Sequence, residues 1–190
     1  MNRARTVGKI LAWIVLLLCG CTDHAQRSNS NVTPQPEQKI TALSEADQRR
    51  LRDQRAVVEK LIADQSSRQN YQTAAGKLGT IRAILDAGTF KPNQTYELQC
   101  LGIVLGDAFV QDLKMEWVMV EDPQGRDPAV RLPGTSIILF PLTMISKRVE
   151  RGERVDVFDL YNGVAAKVEE VRRQGAFPAT RTDTDRNSRP

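Results

Sequence analysis

The chain has 190 residues, 41% of them hydrophobic and only 5% aromatic, with 27 Lys and Arg against 23 Asp and Glu and a single histidine. A pI near 9.1 points toward nucleic acid, but Arg3, Arg5 and Lys9 stand in a segment that reads as a removable leader, which leaves 24 basic residues against 23 acids. That near-neutral balance, with no broad basic face and no run of aromatics, removes nucleic acid from the expected partners.

The leader has three parts. Its basic start is followed by an unbroken apolar run from Ile10 to Leu18, and then by Cys19, Gly20 and Cys21. Nine residues rise only about 14 Å as a helix, well short of the ~30 Å hydrocarbon core, so the run fits a signal-peptide core better than a membrane span. Leu18-Cys19-Gly20-Cys21 resembles a lipobox, with Cys19 standing where Ala, Ser or Thr is usual. The resemblance implies diacylation of Cys21, cleavage before it (leader 1–20), and attachment to a membrane through lipid. Thr22 rather than Asp follows Cys21, which by the same resemblance favours the periplasmic face of the outer membrane over the inner membrane.

Residues 21–42 are polar, carry Pro34 and Pro36, and hold almost no large apolar side chains. This composition reads as a flexible tether. Residues 175–190, with Arg181, Arg186 and Arg189 against Asp183 and Asp185, read as a disordered tail. Residues 43–174 lie between them, enough for a single core.

The folded part opens with helices. Ser44 followed by Asp47 is close to a capping box, and Leu51, Val58 and Ile62 form one apolar stripe to about Asp64. A second helix carries Leu78, Ile81, Ile84 and Leu85 and stops at Gly88. A third opens near Asn93, runs to about Leu113, and turns Leu98, Leu101, Val104, Leu105 and Phe109 inward. Gly102 and Gly106, one turn apart on it, predict a close approach by another part of the chain. Cys100 falls within this apolar pattern. With Cys19 removed and Cys21 acylated it has no partner for a disulfide, and it reads as a core residue.

The periodicity then changes. Glu116–Glu121 is a short β-prone run, Asp122-Pro123-Gln124-Gly125 a turn, and Ala129–Leu132 a second strand that Pro128 confines to an edge or a strand start. Ser136–Phe140 reads as a third strand, and Pro141 opens a short helix that ends by Gly152. Asp156 caps a closing amphipathic helix carrying Val157, Leu160, Val164, Val168 and Val171. The fold class expected is α+β: N-terminal helices packed on a three-stranded antiparallel meander, with a C-terminal helix closing the domain.

The order of three pieces, LGIVLGDAF, then MEWVMVEDPQGRDPAVRLPGT, then IILFPLTMISKRVERGE, resembles the bacterial family known as domain of unknown function 3806. The similarity runs from Leu101 to about Val171. It implies a shared domain and brings no activity, substrate or catalytic residue with it.

The densest polar cluster flanks the first turn of the meander. Trp117, Glu121, Asp122, Arg126, Asp127 and Arg131 form the candidate binding surface, an exposed rim suited to a peptide, glycan or polar head group. The competing reading is a turn rich in Asp, Pro and Gly for its own geometry, with the arginines paired locally and Trp117 in the core. No metal is expected: the acids lack EF-hand spacing, His24 lies in the tether, and Cys100 is alone. No cofactor fingerprint is present. Without a histidine in the folded region, His-assisted nucleophiles are excluded there. The function expected is therefore a non-catalytic module that binds an envelope protein or polymer. The alternatives are a carboxylate-dependent hydrolase of an envelope glycan, using Glu121 and Asp127, and an immunity or inhibitor protein.

Overall fold

A computed structural model describes residues 38–123 and 125–175. The leader, Cys21 and most of the expected tether and tail lie outside the described residues. Strand β1 (Lys39–Ala42) leads into helix α1 (Glu45–Glu59), followed by α2 (Gln65–Asn70), α3 (Ala74–Asp86) and α4 (Thr95–Leu113). Strands β2 (Glu116–Asp122), β3 (Gly125–Arg131) and β4 (Ile138–Leu139) come next, then α5 (Pro141–Glu150) and α6 (Val157–Arg173). The class is α+β: an antiparallel sheet in the order β1-β2-β3-β4 with helices gathered on one side.

Local chemistry sets the helix ends. The Ser44 hydroxyl accepts from the Asp47 N–H, and Asp47 accepts in return from the Ser44 N–H, so a full capping box starts α1. Thr73 caps α3, Asp156 caps α6, and Pro141 takes the first turn of α5. Helix α4 ends at Lys114, which sits in the left-handed region at φ 55°. Among the described residues no helix is long and apolar enough to cross a membrane.

The core is centred on α4, whose Leu98, Cys100, Leu101, Val104, Leu105, Ala108 and Phe109 are fully buried. Cys100 is thus the core residue its pattern predicts, and burial pushes its thiol up to about 11. The two glycines of α4 do what their spacing predicts. A Cβ on Gly102 would lie 2.4 Å from Pro141 O and 2.6 Å from Leu142 Cα, and one on Gly106 would lie 2.4 Å from the Trp117 ring. Helix α4 therefore seats the start of α5 and the β2 indole directly on its backbone. The opposite face of the sheet carries a separate small cluster of Val118, Val120 and Ala129, flanked by Ile40, Ile138 and Phe140.

Four expectations need correction. The sheet has four strands, because Lys39–Ala42, placed in the tether by their polarity, pair with Glu121–Val118 of β2. An edge strand needs little more than backbone partners and one apolar side chain, here Ile40 opposite Val120. Next, Pro128 lies inside β3, a strand with neighbours on both sides. The Leu132 N–H donates to Ile137 O on the β4 side, so by alternation the Pro128 nitrogen faces that side too, beyond β4's last partner at Val130. The expected third strand shrinks to Ile138–Leu139. Finally, the first helix stops at Glu59, and a polar helix with no buried residue, α2, follows. Periodicity had nothing to register there. Asp64 caps α2, accepting from the Ser67 N–H at 2.8 Å.

Candidate functional site

Strand pairing decides which of the six candidate residues act together. Glu121 lies opposite Arg126 and Val120 opposite Asp127, while Trp117 faces Val130 and Glu116 faces Arg131. Because side chains alternate between faces, Trp117, Glu121 and Arg126 belong to the face toward the helices. Asp122, Asp127 and Arg131 belong to the other. The cluster that looks continuous in sequence is thus divided between two sides of the sheet. In particular, the Glu121 and Asp127 carboxylates point to opposite faces and do not flank a common bond as paired glycosidase carboxylates must.

Both arginines are engaged by acids. Arg126 forks onto Asp47, with Nη1 donating at 2.8 Å and Nη2 at 2.7 Å, and so ties the β2–β3 hairpin to the first turn of α1. This fork, with the Ser44 hydroxyl adding to it, holds the Asp47 carboxyl well below the usual carboxylate range. Arg131 pairs across the strands with Glu116, its Nε donating at 3.0 Å. Asp122 accepts from the Gly125 N–H at 3.2 Å and so closes its own turn. Glu121 and Asp127 are exposed.

Trp117 is not a rim residue. Its ring lies on Gly106, and its Nε1–H donates to Asp107 Oδ1 at 2.9 Å. Asp107 also receives a bidentate fork from Arg55, at 2.6 Å from Nε and 2.7 Å from Nη2, which ties α1, α4 and β2 together. Beside this knot the Lys77 ammonium stands 5.3 Å from the Tyr71 ring centroid and donates to Tyr71 O and Gln111 Oε1. The Tyr71 hydroxyl is buried without a hydrogen-bond partner among the described residues, and burial drives its acidity down, so the phenol stays protonated at any physiological pH. Reading the sequence around the turn missed this network. One signal was available: Asp107 is the only acid between Glu97 and Asp112 on an otherwise apolar helix.

Two of the concave features with polar lining adjoin these residues. One recess of about 630 Å³ at the end of the sheet is bordered by Gln38, Lys39, Glu121, Asp122 and Pro123. It therefore includes two of the six candidate residues and joins the start of β1 to the hairpin tip. The other, of about 370 Å³, lies over Tyr71 between α1 and α2, with Glu59, Lys60 and Arg68 at its rim. Among the described residues no three His, Cys, Asp or Glu side chains gather as a metal-ligand set.

None of the curated proteins matches the chain. A crystal structure of a protein from Bacteroides thetaiotaomicron VPI-5482 shares the fold, with a TM-score of 0.57 at 14% identity over 68% of this chain. The chain spans about half of that protein, 48% of its length. Residues 77–161 match the family described as Domain of unknown function (DUF3806). The domain resemblance carried by LGIVLGDAF, EWV and GRDPAVR is therefore matched from Lys77 in α3 to Tyr161 in α6, beginning earlier and ending sooner than the stretch from Leu101 to about Val171 read from the sequence.

Proposed function

We propose that this chain is a lipid-anchored cell-envelope protein whose folded domain is a non-catalytic binding module, with the recess at the hairpin tip as its contact surface. The observation that carries this reading is the framing of that recess. Lys39 lies opposite Glu121 in the sheet register, Asp122 fixes the turn beside them, and the Arg126–Asp47 fork locks the hairpin onto α1. Polar groups held on a rigid strand end suit recognition of a polar partner, because little ordering is left to be done on binding. The mixed charge of Lys39, Glu121 and Asp122 fits a peptide or an envelope polymer that itself carries amino and carboxyl or amide groups. The anchor is Cys21, and the recess adjoins the residues through which the expected tether enters the domain.

A photo-crosslinking side chain at Glu121 in the full chain, compared with one at Arg52 on the exposed side of α1, tests the reading in cells. One dominant adduct at Glu121, absent at Arg52 and lost with Lys39→Glu, supports it. Equal labelling at both positions overturns the placement of the surface. Membrane fractionation of Cys21→Ser tests the anchor separately: the variant should leave the membrane fraction, and retention there overturns lipid attachment.

A further inference from the structure

Helix α6 leans on α3 and α4, yet it also borders a groove of about 380 Å³ on its other flank. Ile137, Leu139, Met144, Leu160 and Val164, all half-buried, line that groove almost without polar atoms. Three further residues of α6 border it at four-residue spacing: Asp159, Gly163 and Lys167. One helical turn separates each from the next, so they form a single stripe.

Among the described residues nothing requires a glycine at position 163. A Cβ there would meet nothing within 4 Å, and its φ is not among the positive ones, so neither packing nor backbone conformation requires it. Glycine is a poor helix former, and an open one leaves room for another backbone to come close; Gly79 of α3 is as open, and what sets Gly163 apart is the pair of opposite charges one turn to either side. The charges on either side say which backbone. Asp159 precedes Gly163 by one turn and Lys167 follows it by one turn, so the stripe reads negative, bare, positive. Two copies of α6 crossing antiparallel at Gly163 set Asp159 opposite Lys167 of the partner subunit, and Lys167 opposite Asp159 of the partner subunit. Leu160 and Val164 then close over the groove from both sides. This self-complementarity is what a twofold, isologous contact requires.

We propose that α6 is a homodimer interface with its twofold axis at Gly163, the apolar groove being covered by a second copy of this chain. Within one chain Lys167 donates to Glu170 at 2.8 Å, but both side chains are largely exposed. Such surface pairs are weak and exchange readily, so Lys167 is available to the partner's acid. The inference is independent of the hairpin-tip reading, since α6 borders no part of that recess.

Full-length Gly163→Cys, expressed in cells and treated with a mild oxidant, should give a reducible species of twice the monomer mass, because residues on a twofold axis face their own copies. Arg52→Cys on α1 supplies the collision baseline. Adding Asp159→Lys should lower the yield at least several-fold by placing like charges opposite one another. Adding Lys167→Asp as well should restore it, which also shows that the charge variants fold. Gly163→Arg, whose side chain enters open space in the monomer, should sediment as a monomer where the unsubstituted chain sediments as a dimer. A yield no higher than at Arg52→Cys, a failure of the double exchange to restore it, or capture of a different protein in place of a second copy each overturns the proposal.

Discussion

Gly102 and Gly79 both sit inside helices, yet alanine should act on them with opposite signs. In α4, a Cβ on residue 102 would stand 2.4 Å from Pro141 O, 2.6 Å from Leu142 Cα and 2.9 Å from Pro141 C, all backbone atoms. Ordinary contact begins near 3.4 Å, so α5 must retreat by roughly 1 Å, and it would draw the buried Leu142 and Ile145 out of register with α4. Overpacking of this kind costs about 1–3 kcal/mol, and a backbone obstacle puts it near the top of that range. The gain in helix propensity returns about 1 kcal/mol. Gly102→Ala should therefore lose about 2 kcal/mol. In α3, a Cβ on residue 79 meets nothing within 4 Å, so Gly79→Ala keeps the propensity gain of up to about 1 kcal/mol. Urea unfolding of the full chain, followed by far-ultraviolet circular dichroism, measures both. At roughly 4 °C per kcal/mol for a domain of this size, thermal melts should separate the two variants by about 10 °C. If Gly102→Ala is as stable as the parent, the α4–α5 contact is not as close as described and the reasoning fails.

Other substitutions probe the polar interior. Gln54 is fully buried on α1, and neither amide atom has a partner among the described residues. Gln54→Met keeps the volume and removes the unsatisfied groups, so denaturant unfolding should show a gain of about 1–2 kcal/mol; a loss would mean that the amide is paired. Asp107→Ala strands the Arg55 guanidinium and the Trp117 N–H together. Loss of one partner from a buried pair costs about 3–5 kcal/mol, and the partial exposure of both side chains places this one near 3. Trp117 emission should shift to the red as the ring loosens from Gly106, and an unchanged spectrum would refute the coupling. The Asp47 carboxyl titrates lower in the folded chain than in the unfolded one. The unfolded state then binds more protons below about pH 4, so this group's contribution is fully present above that pH and falls away as acid is added. Melting temperatures from pH 2 to 6 should therefore fall less steeply on the acid side for Asp47→Asn than for the parent; parallel curves would show that the Arg126 fork does not shift the group.

Much of the architecture is written locally. The capping box at Ser44 and Asp47, Asp156 before α6, Pro141 before α5 and the apolar stripe through Leu98 to Phe109 depend on neighbours within a turn or two, and the sequence shows each of them. Even the paired glycines of α4 announce a close approach, because only a contact offsets their poor helix propensity. The α+β class, most helix boundaries to within a few residues, and Cys100 as core are therefore legible in the residues alone. The sequence could not show β1, since an edge strand is made by partners some eighty residues away, nor α2, which buries nothing. The candidate surface was divided for the same reason. Trp117, Glu121, Asp122, Arg126, Asp127 and Arg131 are neighbours along the chain, but a strand sends consecutive side chains to opposite faces. Arg126 finds its acid on α1, far back in the chain, and Trp117 finds its acceptor on the preceding helix α4, each outside its own hairpin. Which charges are bound into the frame and which stay exposed depends on pairing between elements, and that pairing exists only once the chain has folded.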